Sequence, residues 1–95
     1  MEINGKKYVF RFKYKALKEF LIKTGITLSD LGNETTMTLY AGEMLFYGLK
    51  SGAEFAKEKF DLTLDDVINW IDEDSGNLAK AMEALNTDMP DNTGE

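Results

Sequence analysis

The chain has 95 residues, of which 43% are hydrophobic and 12% aromatic, and its 17 acidic against 11 basic side chains give a formal net charge of −6. It contains no cysteine and no histidine, which excludes disulfides, thiolate zinc sites, cysteine nucleophiles and hydrolases that need a histidine base. This apolar content is sufficient for a globular fold, so we expect one domain over residues 1–87 and a flexible tail over residues 88–95.

The charge is distributed unevenly along the chain. Residues 1–26 contain seven basic and two acidic side chains, which leaves a net charge of −11 on the remainder. Such a basic patch on an acidic body suits an electrostatically steered protein partner or head-to-tail self-association into a homo-oligomer, or it only solvates exposed faces. Duplex nucleic acid is not an expected partner, because the acidic body would repel its phosphates. No stretch approaches the roughly 18 apolar residues of a membrane span, so we expect a cytoplasmic protein without a membrane partner.

The first predicted element is a β-hairpin. Asn4 and Gly5 lie between residues 1–3 and the segment KKYVFRF, and an Asn-Gly pair supplies the two positive φ angles of a type I′ turn. One face of the second strand is aromatic and the other mostly basic. The aromatic face carries Tyr8, Phe10 and Phe12. Because a lone hairpin is marginally stable in water, we expect this face to pack against a helix.

Helical periodicity follows the hairpin directly. The segment YKALKEFLIKT predicts an amphipathic helix that Gly25 ends as a C-terminal cap. Its apolar face is predicted to contain Tyr14, Ala16, Leu17, Phe20 and Leu21. The segment ITLSDLG then predicts one helical turn, capped by Thr27 or Ser29 and ended by Gly32.

The next helix is predicted over residues 36–49 and is apolar nearly all the way round, which indicates a central position. Gly42 and Gly48 within it indicate close packing or a bend. A shorter helix is expected over residues 51–60. Thr63 and Asp66 are spaced as an N-terminal cap for a further helix. The fold class is therefore mainly α with a small N-terminal β-hairpin (α+β), with about four to five helices including a last one around Leu78, Ala81, Met82 and Leu85.

The stretch DEDSGNLAKAME, residues 72–83, resembles the calcium loop of an EF-hand at its two ends. Asp72, Asp74 and Glu83 stand at the first, third and twelfth positions, which supply ligands in that motif. The fifth position is Gly76, which has no side-chain oxygen, and the ninth is Lys80, a cation. We therefore expect a turn between two helices, the second of them capped by Ser75 or Asn77, and neither a metal nor a cofactor. A calcium-responsive protein is kept as an alternative.

The chain has no recognisable catalytic motif. Its carboxylate pairs, such as Asp65 with Asp66, are interpreted as solvated helix ends, and no glycine-rich phosphate loop is present. We therefore expect a binding protein and not an enzyme.

Three segments carry a wider pattern over residues 3–73: INGKKYVFRFKYKALKEF, LYAGEMLFYGLKSG and LTLDDVINWIDE. In these segments the chain resembles the tail assembly chaperones of long-tailed bacteriophages and prophages. The resemblance implies a small, acidic, mainly helical protein without enzymatic activity in the cytoplasm of a bacterial host. It also implies two partners: the tape-measure protein, whose long apolar helices such a chaperone keeps soluble, and the tail-tube protein, whose subunits it helps to recruit.

A chaperone for a helical client needs an apolar surface that the free protein tolerates and a partner covers. Methionine and aromatic side chains adapt well to varied helix faces. Composition and spacing predict that this surface consists of Met37, Tyr40, Met44, Tyr47 and Phe55. The alternative from a different class is a small acidic regulatory or inhibitor protein that mimics the charge of nucleic acid and binds another protein.

Overall fold

The computed structural model describes residues 1–88, which form a two-stranded hairpin and five α-helices. The predicted class, mainly α with a small N-terminal hairpin, is confirmed. The elements are β1 (Glu2–Ile3), β2 (Lys6–Lys7), α1 (Tyr14–Thr24), a 3₁₀ turn (Ser29–Gly32), α2 (Glu34–Leu39), α3 (Ala41–Ala56), α4 (Leu64–Glu73) and α5 (Ser75–Asp88). None of these helices has the length and apolar character needed to cross a membrane. The tail predicted from position 88 falls, for residues 89–95, outside the described residues.

The hairpin has the predicted turn. Strands β1 and β2 are antiparallel, and Asn4 and Gly5 between them have φ angles of 53° and 82°. The second strand is shorter than predicted, and beyond Lys7 its pairing is limited to the contact of Tyr8 with Met1. The last pairing joins these two residues: the Tyr8 N–H donates to the Met1 carbonyl at 2.7 Å, and the amino terminus donates to the Tyr8 carbonyl at 2.8 Å.

After the hairpin the chain crosses α3 without regular secondary structure. The predicted alternation persists there, since Phe12 is fully buried and Phe10 half-buried whereas Val9 is exposed. Two glycines of α3 make the crossing possible. A Cβ at Gly48 would overlap the ring of Phe10, and one at Gly52 would overlap the carbonyl oxygen of Val9.

Helix α1 ends as predicted. Gly25 has a φ of 78° and donates its N–H to the carbonyl of Leu21. The helix buries Ala16, Leu17 and Phe20, but Tyr14, which is predicted on the same face, is 73% exposed. In the 3₁₀ turn that follows, the N-cap is Leu28 and not the predicted Thr27 or Ser29. The hydroxyl of Thr27 still accepts from the Asp30 N–H at 3.2 Å, one residue further out.

The central helix differs from the prediction in both its start and its end. Asn33 caps α2 by accepting from two N–H groups at 2.8 and 3.2 Å, so helical structure begins two residues before position 36. It breaks at Tyr40, whose ring packs edge to face on Phe20 at 6.0 Å. Helix α3 then continues without interruption to Ala56, and Lys57, with a φ of 58°, terminates it. The separate helix predicted over residues 51–60 is therefore largely the end of α3.

The last two helices are joined by a single residue. Thr63 and Asp66 form the predicted cap of α4, each side chain accepting from the other residue's N–H at 3.1 and 2.9 Å. Asp74 separates α4 from α5 and accepts from the Gly76 N–H at 2.8 Å, while Asn77 donates to the Trp70 carbonyl at 2.7 Å. The predicted turn between two helices is present, but the predicted cap is wrong: Asp74 caps α5, and Ser75 and Asn77 both lie inside it.

Helix α3 forms the centre of the fold and contacts α1, α4 and α5. Two groups of buried side chains surround it. The first, towards α1, consists of Phe12, Ala16, Leu17, Phe20, Leu31, Met44 and Leu85. The second, towards α4, consists of Ile3, Leu45, Leu49, Val67, Trp70 and Ala81. This arrangement leaves Glu54 and Phe55, at the carboxyl end of α3, at the surface, whereas Ala41 and Gly42 at its amino end are buried.

Candidate partner-binding surface

The structure does not bring the five predicted partner residues to one surface. Met44 is 0% exposed and belongs to the first buried group. Met37, Tyr40 and Tyr47 are half-buried against the same group. Phe55 alone of the five has most of its side chain, 65%, in solvent. Helical spacing identifies apolar positions but does not distinguish those that face the core from those that face outwards.

Phe55 lines an open groove of about 470 Å³ at the carboxyl end of α3, which we call the basic groove. Its lining includes Arg11, Lys13, Tyr14, Lys15, Glu54 and Phe55. The crossing segment positions Arg11, whose N–H donates to the Gly48 carbonyl at 3.0 Å and whose guanidinium lies 4.1 Å from the centre of the Phe55 ring. Exposed aromatic rings with cations around them are suited to covering by an apolar partner that carries acidic side chains.

A second groove, of about 240 Å³, lies at the amino end of α3, and we call it the acidic groove. Its lining includes Leu39, Glu43, Ile68, Ile71, Asp72 and Leu78. Leu39, the last residue of α2, is 72% exposed. The groove is thus aliphatic with two carboxylates, whereas the basic groove is aromatic with three cations and one carboxylate. Sequence periodicity pointed to neither Leu39 nor Tyr14 as surface residues.

The distance between the grooves follows from helix geometry. Gly42 lines the acidic groove and Phe55 the basic groove. Thirteen residues separate them along α3, and a rise of about 1.5 Å per residue places them roughly 20 Å apart. The two grooves therefore occupy opposite ends of one rigid element.

One carboxylate of the basic groove is held in its charged form. Lys15 Nζ lies 2.7 Å from Glu54 Oε1, and this hydrogen bond lowers the pKa of Glu54 below its ordinary value of 4.5. The pKa of Glu54 is lower in the folded than in the unfolded chain. The pair therefore stabilises the fold at pH values above the pKa of the unfolded chain, and this stabilisation is lost as the pH falls through the pKa of the folded chain. The side chains of Lys15 and Glu54 are 72% and 46% exposed, so solvent screens the pair and its contribution is small.

We expect Lys15→Gln to raise the pKa of Glu54 towards 4.5, because the main cause of the shift is removed. A carboxyl-carbon NMR titration of both proteins measures this change. Lys18→Gln, one turn further along α1, is the matched control and should leave the Glu54 titration as in the wild type. An unchanged titration in Lys15→Gln would contradict the pairing.

The stretch that resembles a calcium loop is not a loop. Asp72 belongs to α4, Asp74 is the single connecting residue, and Glu83 lies in the third turn of α5. An EF-hand loop instead wraps its oxygen atoms around one point between two helices. Within residues 1–88 the acidic side chains form no group of three that is placed to hold a metal ion.

The two grooves are suited to binding another molecule by contact, because they expose aromatic and aliphatic side chains that a partner can bury and charges that it can pair. A partner is the expected ligand for such surfaces, which are open and not enclosed. In comparisons with protein-family models, with curated proteins and with solved structures, the chain matches none of them.

Proposed function

We propose that this protein is a non-enzymatic tail assembly chaperone of a long-tailed bacteriophage or prophage, acting in the cytoplasm of the bacterial host. It binds apolar helices of the tape-measure protein and helps to recruit tail-tube subunits around them. The observation that supports this function is the basic groove, where Tyr14 and Phe55 are 73% and 65% exposed beside a well-packed core. The resemblance of residues 3–73 to such chaperones points in the same direction.

The groove suits a helical client for two physical reasons. A helix laid along it would cover both aromatic rings at once, and burial of such rings dominates the energetics of many helix-in-groove complexes. The ring of Phe55 is already held in place by the Arg11 guanidinium, so less conformational entropy is lost on binding than for a free side chain. Lys13 and Lys15 at the rim favour clients whose apolar stripe is bordered by acidic residues.

Co-expression with a tape-measure fragment from the same genome tests the proposal. We expect the wild-type protein to keep the fragment soluble and to purify with it, and the double variant Tyr14→Ser/Phe55→Ser to lose most of both effects. Leu28→Ser is the matched control, because Leu28 is also exposed and is not part of either groove. It should behave as the wild type.

Two results would overturn the proposal. The first is a wild-type protein that neither binds nor solubilises the fragment, above all if it binds a DNA-processing enzyme tightly, as expected for an acidic inhibitor. The second is a double variant that retains full binding, which would remove the basic groove from the client site. The gene neighbourhood gives an independent check, since a chaperone gene is expected between a major tail protein gene and a very long tape-measure gene.

A further inference from the structure

We propose that the basic groove is one end of a longer docking surface, which continues along α1 to Ile22 and selects partner helices by a pattern of apolar and acidic side chains spaced four residues apart. This inference rests on the proposed function for the helical form of the partner. It adds the direction in which that helix lies and the sequence that it carries. The residues that recognise the pattern are Tyr14, Lys18 and Ile22 of α1.

A second open groove, of about 350 Å³, adjoins the basic groove, and we call it the lateral groove. Its lining consists of Lys15, Lys18, Glu19, Ile22, Lys50 and Glu54. Lys15 and Glu54 line both grooves, and their ion pair therefore lies where the two meet. The basic and lateral grooves together form one continuous surface between α1 and the carboxyl-terminal half of α3, which we call the docking surface.

The docking surface exposes apolar side chains at both of its ends. Tyr14 and Phe55 lie at one end, and Ile22, which is 69% exposed, lies at the other. Tyr14, Lys18 and Ile22 follow one another at intervals of four residues, so they lie on one face of α1. Eight residues of helix place Tyr14 and Ile22 about 12 Å apart. The exposed face of α1 therefore presents a cation between two apolar contacts.

The docking surface has more positive charge than its own acidic side chains neutralise. Five basic and two acidic side chains line it. Both acidic ones are already paired within the chain, Glu54 with Lys15 at 2.7 Å and Glu19 with Lys50 at 2.8 Å. Lys18 is exposed and makes no ion pair within residues 1–88. Charge complementarity therefore favours a partner that brings carboxylates to this surface.

These features define the pattern of the partner helix. A helix laid along α1 presents residues four positions apart to the same side, about 6 Å from one another. An apolar residue at position i can cover Tyr14 and Phe55, and an apolar residue at i+8 can cover Ile22. A glutamate or aspartate at i+4 then lies beside Lys18. The methylene groups of Lys18 are covered together with the two apolar contacts, while its ammonium group meets the carboxylate.

Two synthetic helical peptides that differ in one charge test the pattern on the full chain. The first has leucine at i and i+8 and glutamate at i+4, and the second has lysine at i+4. Fluorescence anisotropy of the labelled peptides measures their dissociation constants. We expect the wild-type protein to bind the glutamate peptide about tenfold more tightly, because the lysine peptide brings two cations together. A wild-type protein that binds neither peptide, or both equally, would overturn the inference.

Exchanging the charge at position 18 tests whether this lysine reads the pattern. Lys18→Glu should reverse the preference and bind the lysine peptide more tightly than the glutamate peptide. Lys23→Glu is the matched control, because Lys23 is an exposed lysine of the same helix that does not line the docking surface. It should keep the wild-type preference. A Lys18→Glu variant that also keeps this preference would contradict the assignment.

The far end of the docking surface is tested at Ile22. Ile22→Ser should weaken the binding of both peptides about tenfold, because it removes an isoleucine side chain from the contact. Leu28→Ser, which changes an exposed leucine outside the docking surface, should bind as the wild type does. Thermal denaturation monitors the fold of each variant. Wild-type binding by Ile22→Ser would show that the partner helix does not extend along α1.

An anionic membrane is the other occupant that a basic surface with exposed apolar side chains suits. Vesicles of anionic phospholipid therefore form a further arm of the experiment. We expect no binding that depends on Lys18 and Ile22. Vesicle binding that both Lys18→Glu and Ile22→Ser abolish, without any binding of the peptides, would assign the surface to lipid and overturn the inference.

The inference and the chaperone function can fail separately. If Lys18→Glu and Ile22→Ser retain a tape-measure fragment that Tyr14→Ser/Phe55→Ser releases, the client site ends at the basic groove; the inference then fails and the function stands. If the peptides bind in the expected order but the wild-type protein does not keep the fragment soluble, the docking surface stands and the chaperone function fails.

Discussion

Replacing Gly52 by alanine is expected to lower the free energy of unfolding by about 3 kcal/mol, in the upper part of the range for overpacked sites. The loss comes in spite of the intrinsic preference of helices for alanine, which is worth about 1 kcal/mol. A Cβ at this position would overlap the carbonyl oxygen of Val9, and a backbone atom cannot rotate away as a side chain can. The crossing segment would have to lift from α3 and withdraw Phe12 from the core. Urea denaturation followed by circular dichroism measures the effect.

Gly42→Ala is the matched control on the same helix. There the nearest atom to an added Cβ is Cγ1 of Ile68 at 3.0 Å, in a side chain that is partly exposed and able to shift. We expect this variant to differ from the wild type by less than about 1 kcal/mol, since the gain in helix propensity offsets the small adjustment. Wild-type stability of Gly52→Ala would contradict the close crossing of the two backbones.

Signals that depend on neighbouring residues were sufficient to predict most of the elements. Asn4 and Gly5 specify a hairpin turn because the turn needs positive φ angles at both positions and these residues adopt them readily. Gly25 and Thr63 end and begin their helices through bonds to residues three or four positions away. Such signals are local in the chain, so they can be read without knowledge of the fold. Asn33 gives a signal of the same local kind, since its side chain accepts from N–H groups two and three residues further on, but the apolar pattern that indicates the helix begins only after it.

Features that depend on distant residues could not be predicted in this way. Strand β2 ends at Lys7, where its pairing with Glu2 ends, and the role of Gly52 reflects Val9, which is 43 positions earlier in the sequence. The break at Tyr40 coincides with a ring contact to Phe20 in another helix. Each of these is a tertiary contact, and helical periodicity carries no information about it.

The candidate partner surface also divides into features that the sequence predicts and features that depend on the fold. Periodicity selected Met44 and Phe55 equally, but only the fold separates the buried position from the exposed one. Tyr14 shows that the pattern did contain some information: at 100° per residue it lies roughly 110° from the centre of the stripe formed by Ala16, Leu17 and Phe20. A residue at the border of an apolar stripe, between two lysines, is a better candidate for a partner surface than one at its centre.

Met44→Ala separates the core from the partner surface by experiment. We expect it to lower the free energy of unfolding by about 3 kcal/mol, the usual size for truncating a fully buried methionine, because it leaves a cavity beside Phe12 and Phe20. Phe55→Ala removes an exposed ring and its contact with Arg11, so its cost should stay below about 1 kcal/mol.

Urea denaturation of both variants gives the first readout, and co-purification of a tape-measure fragment gives the second. At a temperature where both variants are folded, Met44→Ala should retain the fragment and Phe55→Ala should release most of it. The opposite pattern, in which Met44→Ala keeps wild-type stability and loses the fragment, would place the methionine at the partner surface and contradict its position in the core.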